Sequence, residues 1–239
     1  MERRLRPDVG LSARMTFTMV LLAALYAAFA WVLWNAGTSL VSLVVIVGGM
    51  MALQYYLSDR MVLWSMGAHE VSPQEAPELH AMVERLAAAA DLPKPRVAIA
   101  RTPMPNAFAT GRDPNHAVVT VTTGILERLE PRELEAVLGH ELTHVKNRDV
   151  AVITWASFFA TLAGFIVDRF YLISWVAGGD RDENRGGAAW LVIWLASLLV
   201  YVISFFLIRA LSRYRELAAD RGGAIITGEP SSLASALVK

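Results

Sequence analysis

Four stretches without a single charged side chain leave this chain few ways to fold. They run over about Thr16–Trp34, Leu40–Leu57, Val150–Val167 and Ala188–Ile208. Each approaches the roughly 20 apolar residues that a helix needs to cross a bilayer. Buried core helices of a water-soluble protein are the plain alternative. Four uncharged runs in a chain of 239 residues weigh against it. Composition agrees, with 55% hydrophobic and only 18% charged residues, against about 25% charged in a soluble domain. Those values exclude intrinsic disorder. The 22 basic and 22 acidic side chains cancel, which argues against a broad basic surface for nucleic acid. The lipid bilayer is the first partner expected, and no nucleic acid is.

Orientation follows from the basic residues beside the spans. Arg3, Arg4, Arg6 and Arg14 precede the first span and place the N-terminus in the cytoplasm. A cleavable signal peptide is a poor reading of that span, because a second follows almost at once. Trp31 and Trp34 near its end fit an aromatic belt. The uncharged Asn35–Ser39 link makes spans one and two a hairpin. Ala23, Ala24, Ala27 and Ala28, with Gly48 and Gly49, suit close packing of that pair. Spans three and four enclose a polar loop, Asp168 to Gly187, expected outside. Arg209, Arg213 and Arg215 return the chain to the cytoplasm.

The two polar stretches, Ser58–Asp149 and Arg209–Lys239, thus share one side and can form a single domain of roughly 120 residues. The chain is divided accordingly into 1–57, 58–149, 150–208 and 209–239. Ser72, Pro73 and Glu75 resemble a helix start, with Pro77 as a start one turn later. That helix runs to about Ala90 with Leu79, Met82, Val83 and Leu86 on one stripe. Arg96–Ala100 and Ala117–Thr122 read as strands, separated by a turn-rich loop around Ala107–Thr110. Pro131 opens a helix through about Val145, with Leu134, Leu138, Leu142 and Val145 as its stripe.

On that helix lies His140-Glu141-Leu142-Thr143-His144. Residues four apart share a helix face, so two imidazoles can converge on one ion, turned away from the leucine stripe. Glu141 projects beside them, placed to take a proton from water. Two surface histidines with a solvated glutamate would give the same five letters. There is no cysteine, so a third ligand must be His, Asp or Glu. Glu216 and Asp220, four apart after the fourth span, offer one carboxylate to ligate and one to orient an imidazole. Taken alone they read as a charged face paired with Arg213 or Arg215. His69, His80 and His116 read as solvated surface residues. Asn147 and Asp149 either cap the motif helix or support its histidines.

With these residues in place, the chain resembles the HtpX family of bacterial integral-membrane zinc metallopeptidases, relatives of the CAAX prenyl proteases. The resemblance rests on Asn106-Ala107-Phe108-Ala109-Thr110-Gly111, on Val137–His144 with Asn147 and Asp149, and on Ser212–Asp220. It implies a mainly α fold with a small β component: four transmembrane helices and a cytoplasmic zincin-like α+β catalytic domain. It implies one zinc per chain, held by His140, His144 and Glu216, with Glu141 as catalytic base and Asp220 orienting a ligand histidine. Asn106, Ala107, Phe108 and Ala109 would border the substrate cleft, where an edge strand could pair with extended substrate. The implied activity is endoproteolysis of misfolded or surplus membrane proteins at the cytoplasmic face of the bacterial inner membrane, in response to stress.

Members of that family usually continue further and carry a His-Pro motif near the C-terminus. Here the sequence ends at Lys239, after Leu233–Leu237, which reads as the start of another helix. That difference is the ground for a second expectation, a zinc-binding adaptor or pseudoprotease with impaired catalysis.

Overall fold

The computed structural model describes residues 8–35, 40–168 and 183–239. Arg3, Arg4 and Arg6, the link 36–39 and most of the expected polar loop, 169–182, lie outside them. The helices are α1 (Val9–Asn35), α2 (Leu40–Ser65), α3 (Pro77–Ala89), α4 (Thr123–Arg128), α5 (Pro131–Lys146), α6 (Asp149–Asp168), α7 (Glu183–Thr227) and α8 (Pro230–Val238). The strands are β1 (Ala68–Glu70), β2 (Arg96–Ala100), β3 (Ala107–Thr110) and β4 (Val118–Thr122). The chain forms two compact units.

One unit comprises Gln54–Val152 and Arg215–Lys239, together with Asp8. Its sheet has the order β1-β2-β4-β3. β2 and β4 run parallel, with Ala98 opposite Thr120, and the outer strands β1 and β3 pair antiparallel. Every residue of β4 is buried, as expected of a strand covered on both faces. Val97, Val119 and Val121 meet Leu79, Val83 and Leu86 of α3, Ile125 of α4, and Leu134, Leu138 and Leu142 of α5. Each such side chain contributes about 1.5–3 kcal/mol when fully buried. The stripe read from the sequence of α5 is therefore the face that packs.

Ser72 and Glu75 do exchange hydrogen bonds: Ser72 N–H donates to Glu75 Oε2 at 2.7 Å, and Glu75 N–H to Ser72 Oγ at 3.4 Å. They close a turn, however, and α3 begins at Pro77, the later of the two expected starts. The proline ring disfavours the helical region for the residue before it, and Ala76 stands at φ −138°, ψ 65°. Two further expectations are corrected. Ala107–Thr110 is a strand at the sheet edge rather than a turn. His80 is buried, not solvated, with Nε2 2.9 Å from the Val71 carbonyl oxygen, because its position on α3 faces the core.

The other unit comprises Val9–Leu53 and Ile153–Tyr214. α1 buries Leu22, Tyr26, Phe29 and Leu33 along one face. The Tyr26 hydroxyl donates to the Ala156 carbonyl, and its ring lies 4.8 Å from that of Phe159. Ala156, Ala160 and Ala163 of α6 are buried, which lets helices approach closely without a hydrophobic drive between them. The expected role of Gly48 and Gly49 is not seen: a Cβ added at either would meet nothing within 4 Å.

Among the described residues, three helices are long and apolar enough to cross a membrane: Val9–Asn35, Asp149–Asp168 and Leu191–Thr227. The expected second span falls within α2, which is not one of these three. The protein is thus mainly helical, with a small sheet and membrane-length helices.

Candidate metal centre

The centre lies within the unit that carries the sheet, on two crossing helices. Pro131 opens α5 with a fixed φ and a missing N–H that costs nothing at that position. Glu130 N–H donates to the Glu133 carboxylate at 2.9 Å, closing the first turn. Ser235 and Lys239, at the end of α8, also donate to that carboxylate, at 2.6 and 2.7 Å. Lys239 first, then Ser235 and the Glu130 N–H, hold the Glu133 carboxyl down at about 2. The apolar stripe then turns His140 and His144 away from the core.

The end of α7 crosses α5 at unusually close range. A Cβ added to Gly223 would come 2.9 Å from His140 N, and one on Gly222 would meet the Thr143 side chain at 2.2 Å. Only glycine permits that approach, and it brings Glu216 over the two imidazoles. His140 Nε2 and His144 Nε2 are 3.1 Å apart. Glu216 Oε2 lies 3.4 Å from the first and 3.8 Å from the second. The donor atoms of these three residues all fall within 4.8 Å of one another. Ligands about 2.0–2.1 Å from a tetrahedral ion stand roughly 3.3 Å apart, so this spacing fits one.

The outer ring nitrogens support that fit. His144 Nδ1 lies 2.6 Å from Asp149 Oδ2. His140 Nδ1 lies 3.0 Å from Asp220 Oδ1, an ion-pair distance without a full hydrogen bond. Carboxylates on both Nδ1 atoms leave both Nε2 lone pairs for a cation. Burial, and then the nearness of His144, pull His140 below the ordinary imidazole pKa, which favours the neutral ring that a metal needs.

Glu141 sits beside this cluster and receives the Ala109 N–H of β3 at 3.0 Å. Burial pushes its carboxyl up to about 7, against the opposing pull of His144 and of that N–H. Of the cleft residues read from the sequence, Ala109 thus touches the motif directly. Asn106 instead extends the pairing with β4: its N–H donates to Thr122 Oγ1 at 2.9 Å, and its carbonyl accepts from Thr122 N–H at 3.0 Å. Ala107 and Phe108 complete the edge strand, half-buried.

Two features of the centre go beyond what the sequence announces. Arg215 is a candidate partner of Glu216 or Asp220 by spacing, yet it is buried against Asp149. Asp149, open between two roles by sequence, stands at the start of α6 facing His144. The five-residue spacing across a helix end is its only signal.

Two imidazoles and a carboxylate on a common point can hold a metal ion, and with a glutamate and an edge strand alongside they suit a metalloprotease; the apolar helices point to a membrane one. Comparison with known proteins agrees. The model of peptidase family M48 matches residues 73–239. The chain is 67% identical to the protease HtpX homologue of Moorella thermoacetica, over all of this chain and 80% of that one. It is 59% identical to protease HtpX homologue 2 of Methanosarcina acetivorans, with the same coverage. It is 54% identical to protease HtpX homologue 1 of Streptomyces coelicolor, over all of this chain and 78% of that one. The chain belongs to peptidase family M48, with the HtpX homologues among its relatives. Its fold resembles the crystal structure of Ste24p from S. mikatae, with a TM-score of 0.55 at 17% identity, covering 97% of this chain and 58% of that one. The non-enzymatic adaptor reading is not favoured.

Proposed function

We propose that this membrane metalloprotease binds one zinc ion through His140, His144 and Glu216 and uses Glu141 as its general base. The observation that carries the reading is the meeting of His140 Nε2, His144 Nε2 and Glu216 Oε2 at 3.1–3.8 Å. A bound zinc ion supplies Lewis acidity, lowering the pKa of a water molecule and polarising a carbonyl. Glu141 takes the proton of the attacking water on a carboxylate oxygen and hands it to the leaving amine. Asp220 and Asp149 steady the imidazoles through Nδ1.

Extended substrate adds as a strand along the open edge of β3, with Asn106, Ala107, Phe108 and Ala109 as its frame. The substrates are unfolded or surplus membrane proteins. Four helices span the plasma (inner) membrane at about 16–34, 40–57, 150–167 and 188–208, and the stretches 58–149 and 209–239 form a catalytic domain in the cytoplasm. Support for that placement is the basic residues beside the spans, Arg14, Arg209, Arg213 and Arg215 among them.

The test is cleavage of casein by detergent-purified protein. Glu141→Gln should retain zinc and lose at least about 100-fold in rate. Equal cleavage by the two forms would remove Glu141 from the mechanism.

A further inference from the structure

The two imidazoles of the centre are supported unequally. Asp220, beside His140, has a side chain 50% exposed. Asp149, beside His144, is 9% exposed, and the Arg215 side chain paired with it is 5% exposed. Arg215 also donates from Nη2 to the Asn147 carbonyl at 3.0 Å. Asn147 is the C-cap of α5, so its carbonyl is one that the helix itself leaves without a partner. One buried guanidinium therefore grips both the end of the motif helix and the carboxylate that faces His144. Its planar fork aims Nη2 at both groups, and Nε is buried without a hydrogen-bond partner. Arg215 also immediately precedes Glu216 on α7.

We propose that Arg215 is a positioning residue of the metal centre, acting through Asp149 to fix the tautomer and ring plane of His144 while holding Glu216 over it. This inference rests on the reading of His140, His144 and Glu216 as the metal ligands. The carboxylate between Arg215 and His144 faces both, with Oδ1 in an ion pair with the guanidinium and Oδ2 2.6 Å from the ring nitrogen Nδ1. A proton held on Nδ1 leaves the lone pair on Nε2, where a metal needs it. An ordinary buried ion pair would stabilise the fold and leave the ring nitrogens indifferent to its removal.

The experiment is a Co²⁺ titration of the whole metal-stripped chain in detergent, following affinity and the d–d absorption bands. Loss of a group that orients a ligand typically lowers metal affinity about 10–100-fold. R215K keeps the charge but lacks the fork, and should show weaker binding with shifted bands. D149L/R215M removes both charges together, so no buried charge is left unpaired. It should bind Co²⁺ about 10–100-fold more weakly while metal-free circular dichroism remains native. Native affinity and bands in both R215K and the double variant would overturn the proposal, leaving a structural ion pair. If the double variant fails to fold, R215K decides alone. R213Q, at an exposed position, should bind as the parent does. H144A separates the two levels: tight Co²⁺ binding there would mean that the ligand assignment itself has failed, whatever Arg215 does.

Discussion

Glu141 is a carboxylic acid held where its charged form is poorly solvated. Its pKa in the fold, about 7, exceeds the ordinary 4.5. A raised carboxyl favours the fold in its protonated form. The metal-free protein should therefore lose stability as pH rises from 4.5 to about 7. Glu141→Gln abolishes that dependence. At pH 8 the metal-free variant should be more stable than the metal-free parent by on the order of 3 kcal/mol, and near pH 4 the two should match. Thermal unfolding across that range checks it; a difference that did not change with pH would mean Glu141 is not buried as described. Burial, and then the nearness of His144, pull His140 below the ordinary imidazole pKa, which favours the neutral ring that a metal takes. The sequence leaves Asp149 open between two roles, because the turn between α5 and α6 that brings it to His144 has no local signal. Arg148 adopts φ 55° between α5 and α6, and nothing in its sequence neighbourhood announces a left-handed residue there.

The close crossing of α5 and α7 controls the centre at the scale of elements. Gly223→Ala places a methyl 2.9 Å from His140 N, so the helices must part. Overpacking of this kind costs about 1–3 kcal/mol, and here it also lifts Glu216 from the imidazoles. Isothermal titration should show metal affinity falling together with thermal stability. Gly49→Ala, where an added Cβ meets nothing within 4 Å, should change neither. A Gly223→Ala variant with unchanged affinity would detach the crossing from the site.

Elements with a strong local signal are legible in the amino-acid sequence. α5 has a proline start and a leucine stripe, β2 has its five residues, and the His140/His144 pair has helical spacing. β1 and β3 lack such a signal, being three and four residues long and held by pairing with β2 and β4 rather than by their own propensity. Likewise α1 packs through Leu22, Tyr26, Phe29 and Leu33 rather than through its alanines. Composition marks it as apolar, but the packing face depends on which helix lies opposite.

The whole chain contains no cysteine, so single introduced cysteines report membrane sidedness cleanly. Glu127→Cys, exposed on α4, should react with a membrane-impermeant maleimide only after cells are opened, and Asp180→Cys in intact cells. The reverse pattern would invert the proposed topology. Every assignment of chemistry, however, depends on metal occupying the centre. The decisive measurement is the zinc content of the detergent-purified chain beside that of His144→Ala. The expected result is about one zinc per chain in the parent and its loss in the variant. No zinc in either, or equal zinc in both, would contradict the assignment of His140, His144 and Glu216 as ligands.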